Sequence, residues 1–234
     1  MYDLWAHQWR QRHATGDVIF VRYADDTVVG FENRSDAERF LADLRQRLAA
    51  FALELHPEKT RLIEFGRHAE KNRSERGNGK PETFDFLGFT HICGKTRKGG
   101  FQLWRRSARK RMKAKIRAIK DELRRRMHTP LAEQGAWLGS VVRGFFAYHA
   151  VPNNFPAISA FRYHVVVAWV RSLRRRSQKS KAKWDRMQVH LERYIPTARI
   201  LHPWPEARFR VRHSRWEPGA LTAPAGICAG GGQQ

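Results

Sequence analysis

Cysteine is nearly absent from this chain: two among 234 residues, Cys93 and Cys228. They give no disulfide framework and no paired metal-ligand spacing, which argues against a stapled secreted scaffold and a zinc finger and fits a reducing compartment. Long apolar runs are also lacking. No stretch approaches the ~20 residues of a membrane span, and Met1–Thr15 is charged, without the apolar segment of a secretory signal. A cytoplasmic chain with no membrane partner is expected. No glycine-rich loop opens a helix as a phosphate cradle requires, and the 11 histidines are scattered without a triad. Acidic residues are few: 22 against 45 Lys and Arg, for a net charge of +23.

What is present belongs to a folding chain. Hydrophobic residues make up 41%, too many for a disordered basic tail. The charge is unevenly placed. Residues 1–60 carry 8 basic and 10 acidic side chains, so the rest carries the whole excess, a net +25. Residues 101–126 hold 12 basic and 2 acidic groups, residues 171–186 hold 8 and 1, and the stretch between has only Arg143, Arg162 and Glu133. An apolar helical core flanked by basic faces suits a polyanionic partner, with nucleic acid ahead of an anionic membrane surface.

Residues 17–31 read as two short strands around a turn at Ala24–Asp26. Ser35-Asp36-Ala37-Glu38 reads as a capping box. The helix after it carries Phe40, Leu41, Leu44, Leu48, Phe51, Ala52 and Leu55 on one stripe and ends at His56-Pro57. Thr60–Phe65 is a strand, and Arg67–Thr83 a long polar loop. Phe84–Ile92 reads as one strand with a glycine kink, and Gly99-Gly100 as a turn into a pairing strand. From Ser107 the period becomes helical. Met112, Ile116, Ile119, Leu123 and Met127 form a first stripe, and a second helix follows Thr129-Pro130, with proline at its first position. A third carries Ile158, Phe161, Val165, Trp169 and Leu173, a fourth runs from Trp184 to Leu191, and Ala223–Gln234 reads as a frayed tail. Trp104, Tyr148, Trp169 and Trp184 read first as core and second as base-stacking surfaces.

Tyr23-Ala24-Asp25-Asp26 is the sharpest feature. A bare Asp-Asp pair between strands is usually a polar turn, but two adjacent carboxylates repel unless a cation sits on them. Nucleotidyl transfer by two metal ions needs such carboxylates at the tip of a rigid element. The flanks bring a family into view. Val21–Asp26 resembles the Y-x-D-D motif of reverse transcriptases, Leu53–Arg61 the segment after the palm helix, and Phe84-Asp85-Phe86-Leu87-Gly88-Phe89 the F-L-G-F segment before the thumb. Gly144-Phe145-Phe146-Ala147-Tyr148-His149 and Leu173–Gln178 resemble the maturase-specific thumb. In order, from about Gly16 to Arg212, these segments are similar to group II intron-encoded reverse transcriptase/maturases.

That resemblance implies roles. Asp25 would hold the catalytic Mg2+ ions together with an Asp from an upstream palm strand, and Asp26 would support it. Tyr23 and Ala24 would lie near the primer end, and Lys59 near a phosphate. Intron RNA and a template–primer duplex would be the partners. Arg105, Arg106, Arg109, Lys110, Arg111 and Lys113 on one helix would contact nucleic acid, as would Arg174, Arg175, Arg176, Lys179, Lys181 and Lys183 after another. One departure stands out: before Asp25 the only acids are Asp3 and Asp17, and neither lies in the expected upstream strand. The chain is therefore expected to be N-terminally truncated and inactive alone in DNA synthesis, its missing half coming from another chain or an upstream frame, and that half or a second copy is a further expected partner.

The expected fold is α+β. Residues 1–104 would be the later part of a palm, 105–215 a helical thumb/maturase domain, and 216–234 a disordered tail. The expected function is RNA-directed DNA synthesis with splicing assistance in the parent family, and RNA binding in this chain. The alternatives are a non-catalytic splicing factor and a decayed gene fragment.

Overall fold

β1 (Val18–Tyr23) and β2 (Asp26–Phe31) form a hairpin closed by the two-residue turn Ala24-Asp25, with Tyr23 paired to Asp26 and Val18 to Phe31. Strand alternation sorts the side chains of β1. Val18 and Phe20 turn inward, while Ile19, Val21 and Tyr23 stay 54, 46 and 66% exposed. The computed structural model describes residues 2–176, 184–205, 207 and 227–230. Lys179, Lys181 and Lys183 lie outside them. The fold is α+β, and the described residues fall into two compact units. One holds 2–87, 91–103 and 227–230; the other holds 88–90 and the described residues of 104–207.

In the first unit, α1 (Tyr2–His13) and α2 (Arg34–Ala49) pack on the hairpin. Trp9, Phe31 and Phe40 meet edge-on or tilted, with ring centroids 4.9–6.2 Å apart. Burial of such rings at roughly 25 cal/mol per Å² is what holds the hairpin base in place. β3 (Arg61–Glu64) belongs to the same sheet, whose order is β1-β2-β7-β3, with β7 (Ile227–Gly230) antiparallel to both neighbours. A second sheet has the order β4-β5-β6, from Phe84–Phe86, Phe89–Lys95 and Phe101–Ser107.

In the second unit, α4 (Arg109–Arg125), α5 (Leu131–His149), α6 (Phe155–Arg174) and α7 (Trp184–Tyr194) enclose one core. The stripes expected for the first and third helices fill it, Ile116, Ile119 and Leu123 from α4 and Ile158, Phe161, Val165 and Trp169 from α6, and they meet Leu138, Val142 and Phe146 of α5. The Trp169 indole donates to Gln134 Oε1 at 3.0 Å, and Gln134 Nε2 donates to the Arg126 carbonyl, so this buried amide is satisfied at both ends.

Six local expectations are corrected. The capping box does not form: Asn33 is the N-cap without a side-chain cap, and Glu38 instead pairs with Arg34 at 2.7 Å. α2 stops at Ala49 rather than at His56-Pro57. Ala52 takes φ +55°, and the Leu53 N–H returns to the Leu48 carbonyl at 3.0 Å, a closure usually built on glycine. Residues 67–83 include a short helix, α3 (Ala69–Glu75), with Arg76 on Glu64 at 2.7 Å and Arg73 and Arg61 on Glu82. Phe84–Ile92 is two strands, because Leu87 and Gly88 both have positive φ, +49° and +80°, and reverse the chain. Residues 227–230, expected in a frayed tail, pair as β7. Pro130 precedes the first residue of α5 instead of being it.

Candidate functional site

The tip of the β1–β2 hairpin carries Tyr23, Ala24, Asp25 and Asp26 together. Asp25 is exposed in the turn and Asp26 half-buried at the start of β2. Ala24 has φ +51° and Asp25 does not share the positive sign, which matches a type II′ turn. Glycine is favoured at that first turn position, so alanine there stores strain on the order of 1 kcal/mol. Neither carboxylate has a hydrogen-bond or ion-pair partner among the described residues.

The base of the hairpin is fixed firmly. Asp36, only 3% exposed, accepts from the Thr15 and Gly16 N–H groups at 2.8 and 3.1 Å and from the Thr15 hydroxyl at 3.0 Å. Glu32 accepts from the Asp17 N–H at 2.9 Å. A Cβ on Gly16 would lie 2.8 Å from the side-chain ends of Glu32 and Asn33, which would have to shift to admit it. The capping-box reading concealed this role of Asp36. Arg22 leaves the strand to meet Asp3 at 2.6 Å above the Tyr2 ring, and burial pushes the Tyr2 phenol up to about 12. Lys59 lies in the turn before β3, at the same end of the sheet as the hairpin tip, because Val28 and Arg61 both pair with Gly230; its N–H donates to the His56 carbonyl at 3.2 Å.

Mg2+ takes oxygen donors, commonly one or two carboxylates with water and substrate phosphates. Asp25 and Asp26 fit as such a partial set. Among the described residues no group of three or more His, Cys, Asp or Glu is arranged to hold a metal.

The basic residues divide by environment. Arg109, Lys110, Arg111 and Lys113 are exposed on α4, whose first turn has no acidic residue. Cations at a helix N-terminus oppose its dipole, so stability does not account for them. Arg105 and Arg106 lie on β6 and not on the helix expected for them, because α4 begins only at Arg109, and both are half-buried: desolvation pushes the Arg105 guanidinium below its ordinary value, and Arg106 lies 5.2 Å over the Trp104 ring. Arg174 and Arg175 are exposed, whereas Arg176 is half-buried and donates to the Thr129 carbonyl. Lys120, Arg124 and Arg171 were not singled out by sequence. With Arg175 they line one cleft, and their only signal is spacing of one helical turn on each of two helices.

At the junction of β6, α5 and α6, Asn154, Ser107 and His149 form a closed polar group. Asn154 Nδ2 donates to Ser107 Oγ at 2.9 Å and to the His149 carbonyl at 2.7 Å, Ser107 N–H donates to Asn154 Oδ1 at 2.9 Å, and Ser107 Oγ lies 3.0 Å from His149 Nδ1. Burial, reinforced by the Arg111 charge, pulls His149 down to about 4. Cys93 is half-buried, its Sγ accepting from the Gly66 N–H at 3.2 Å; burial raises its thiol. No helix among the described residues is long and apolar enough to cross a membrane.

Residues 1–91 match the family described as reverse transcriptase (RNA-dependent DNA polymerase). No curated protein matches the chain. The matched stretch contains the whole Tyr-Ala-Asp-Asp hairpin and ends inside β5.

Proposed function

We propose that this chain, whose residues 1–91 form a reverse transcriptase domain, works in RNA-directed DNA synthesis of the group II intron type, and that its helical unit grips intron RNA and the template–primer. The observation that carries the reading is the exposed, unpartnered Asp25 on a strained turn within the matched residues.

Asp25 is the Mg2+ ligand and Asp26 its supporting carboxylate. When bound, the ions activate the primer hydroxyl and neutralise the leaving phosphate. The chain's own part is positional. The Asp36 and Glu32 hydrogen bonds hold the hairpin base, and the two-residue turn presents the carboxylates at its tip. Tyr23, exposed beside them, offers a flat surface to the primer end. Polymerisation requires a further carboxylate beside Asp25. Arg109, Lys110, Arg111, Lys113, Arg174 and Arg175 contact phosphates, as do Lys179, Lys181 and Lys183.

The similarity of the Phe84–Phe89 and Gly144–His149 segments to maturases supports the intron-specific part of the reading. RNA affinity of the full chain, measured by anisotropy with a structured intron RNA, should fall at least ~10-fold between about 50 and 200 mM salt. A flat salt dependence would refute the phosphate-gripping role.

A further inference from the structure

Helices α4 and α6 face each other across a cleft of about 530 Å³. Its floor is apolar: Leu123 and Ala168 belong to the core, and Met127 is half-buried. The Ser172 hydroxyl, also in the wall, is engaged by the Leu123 carbonyl at 3.3 Å. The rim is cationic on both sides. Lys120 and Arg124 stand one turn apart on α4, and Arg171 in the last turn of α6 is followed one turn on by Arg175 at its C-cap. Arg124 is paired with Asp121 at 3.0 Å, while Lys120, Arg171 and Arg175 have no carboxylate partner among the described residues.

Cations gathered around an apolar floor repel one another unless an anion joins them. A bare anion would gain nothing from the floor, and a neutral apolar ligand nothing from the rim. A nucleotide offers both a flat base and flanking phosphates. Side chains one turn apart are about 5–6 Å from each other, close to the separation of successive phosphates in a strand. The volume lies within the ~300–1,000 Å³ of small-ligand pockets, enough for one nucleotide and too small for a duplex. In a paired helix the base faces are covered, so the occupant must be unpaired.

We propose that the α4–α6 cleft is a subsite for one unpaired nucleotide of bound RNA, its base against Met127 and Ala168 and its two phosphates between the cation pairs. This rests on the helical unit being the RNA-binding part of the chain.

The test uses the full chain and two RNA hairpins of equal nucleotide count, one fully paired and one with a single bulged uridine. The bulged RNA should bind about tenfold tighter. Ala168→Phe, which fills the cleft, should bring it down to the affinity of the paired RNA and leave the latter unchanged. Ala168 is a core position, so two further readouts avoid dependence on that variant. The exposed pair Lys120→Ala with Arg171→Ala should shrink the bulge preference. A 4-thiouridine placed in the bulge should crosslink the wild-type chain within residues 123–127 or 168–175.

Equal, salt-sensitive affinity of the wild type for both RNAs, or crosslinks confined to other segments, would overturn the subsite while leaving RNA binding intact. Binding to neither RNA would overturn the underlying reading and the subsite with it. Capture by phosphatidylserine vesicles that the double variant abolishes, with bulge preference unchanged, would assign the cleft to a lipid headgroup instead.

Discussion

The ring of Phe89 stacks on that of Tyr148, with centroids 5.4 Å and planes 25° apart, and has His149 at 5.0 Å. The Phe-Leu-Gly-Phe and Gly-Phe-Phe-Ala-Tyr-His segments are thus two sides of one contact. Gly88 shares it: its carbonyl accepts from the Ala108 N–H at 2.9 Å, where α4 begins. The two rings differ in burial, Phe89 being 8% exposed and Tyr148 51%. Phe89→Ala should therefore cost about 3 kcal/mol in urea unfolding of the full chain. Tyr148→Ala should cost about 1 kcal/mol, the size of a ring-pair term with little core burial. Equal costs for the two would mean that the stack, and not the burial of Phe89, holds this junction.

His149 gives the junction a pH dependence. Its folded pKa is about 4, below the ordinary 6.5, because burial and Arg111 both oppose the charged ring. Below pH ~6.5 the unfolded chain takes up a proton that the folded chain resists until about pH 4. Its stabilising contribution is therefore complete above ~6.5 and is lost as pH falls through that window. His149→Gln should flatten this limb when chemical-denaturation midpoints are compared at pH 7 and pH 4.5. An unchanged difference between the two pH values would show that other groups set the acid limb.

The helical unit was legible from the sequence because its signal is local. Ile116, Ile119 and Leu123, or Ile158, Phe161 and Val165, repeat at helical spacing and meet in one core. The hairpin was legible for the same reason, as alternating β-branched and aromatic residues around Ala24-Asp25. What was hidden depends on backbone states that composition does not advertise. Ala52 adopts positive φ without being glycine, so the end of α2 carried no sequence mark, and Gly88 marked only a kink because its partner in the β4–β5 reversal is Leu87 and not a second glycine. Asp36 was hidden because its partners, Thr15 and Gly16, are distant in sequence. The α4–α6 cleft was hidden because half of it comes from each of two helices.

The glycines of α5 separate into packed and free positions. A Cβ at Gly139 would run into the backbone carbonyl of Tyr194, which cannot rotate away, and one at Gly135 would lie 2.5 Å from the Tyr194 ring. Gly144 has nothing within 4 Å of that point. Gly139→Ala should destabilise by about 1–3 kcal/mol through overpacking. Gly144→Ala should stabilise by about 0.4–1 kcal/mol by restricting the unfolded chain. Thermal melts of the two variants should move in opposite directions. A melting point raised by Gly139→Ala would show that α7 gives way at little cost.

Asp25 and Asp26 are the test of whether the hairpin tip exists for chemistry or for stability. Their carboxylates meet no partner among the described residues, and they repel each other across one peptide. Asp25→Asn should therefore leave the melting point unchanged or slightly higher, because it removes a repulsion and no contact. Ala24→Gly should add about 0.5–1 kcal/mol of stability by relieving the positive φ. A structural tip behaves differently, losing stability when a carboxylate is neutralised. RNA affinity of Asp25→Asn should stay within about twofold of the parent, since the cations proposed to grip RNA do not include the hairpin tip. DNA synthesis, measured with the chain complemented by a segment carrying the other palm carboxylate, should fall by at least ~10²-fold in the same variant. Synthesis that survives Asp25→Asn, in a complex that the parent chain activates, would remove Asp25 from the metal site.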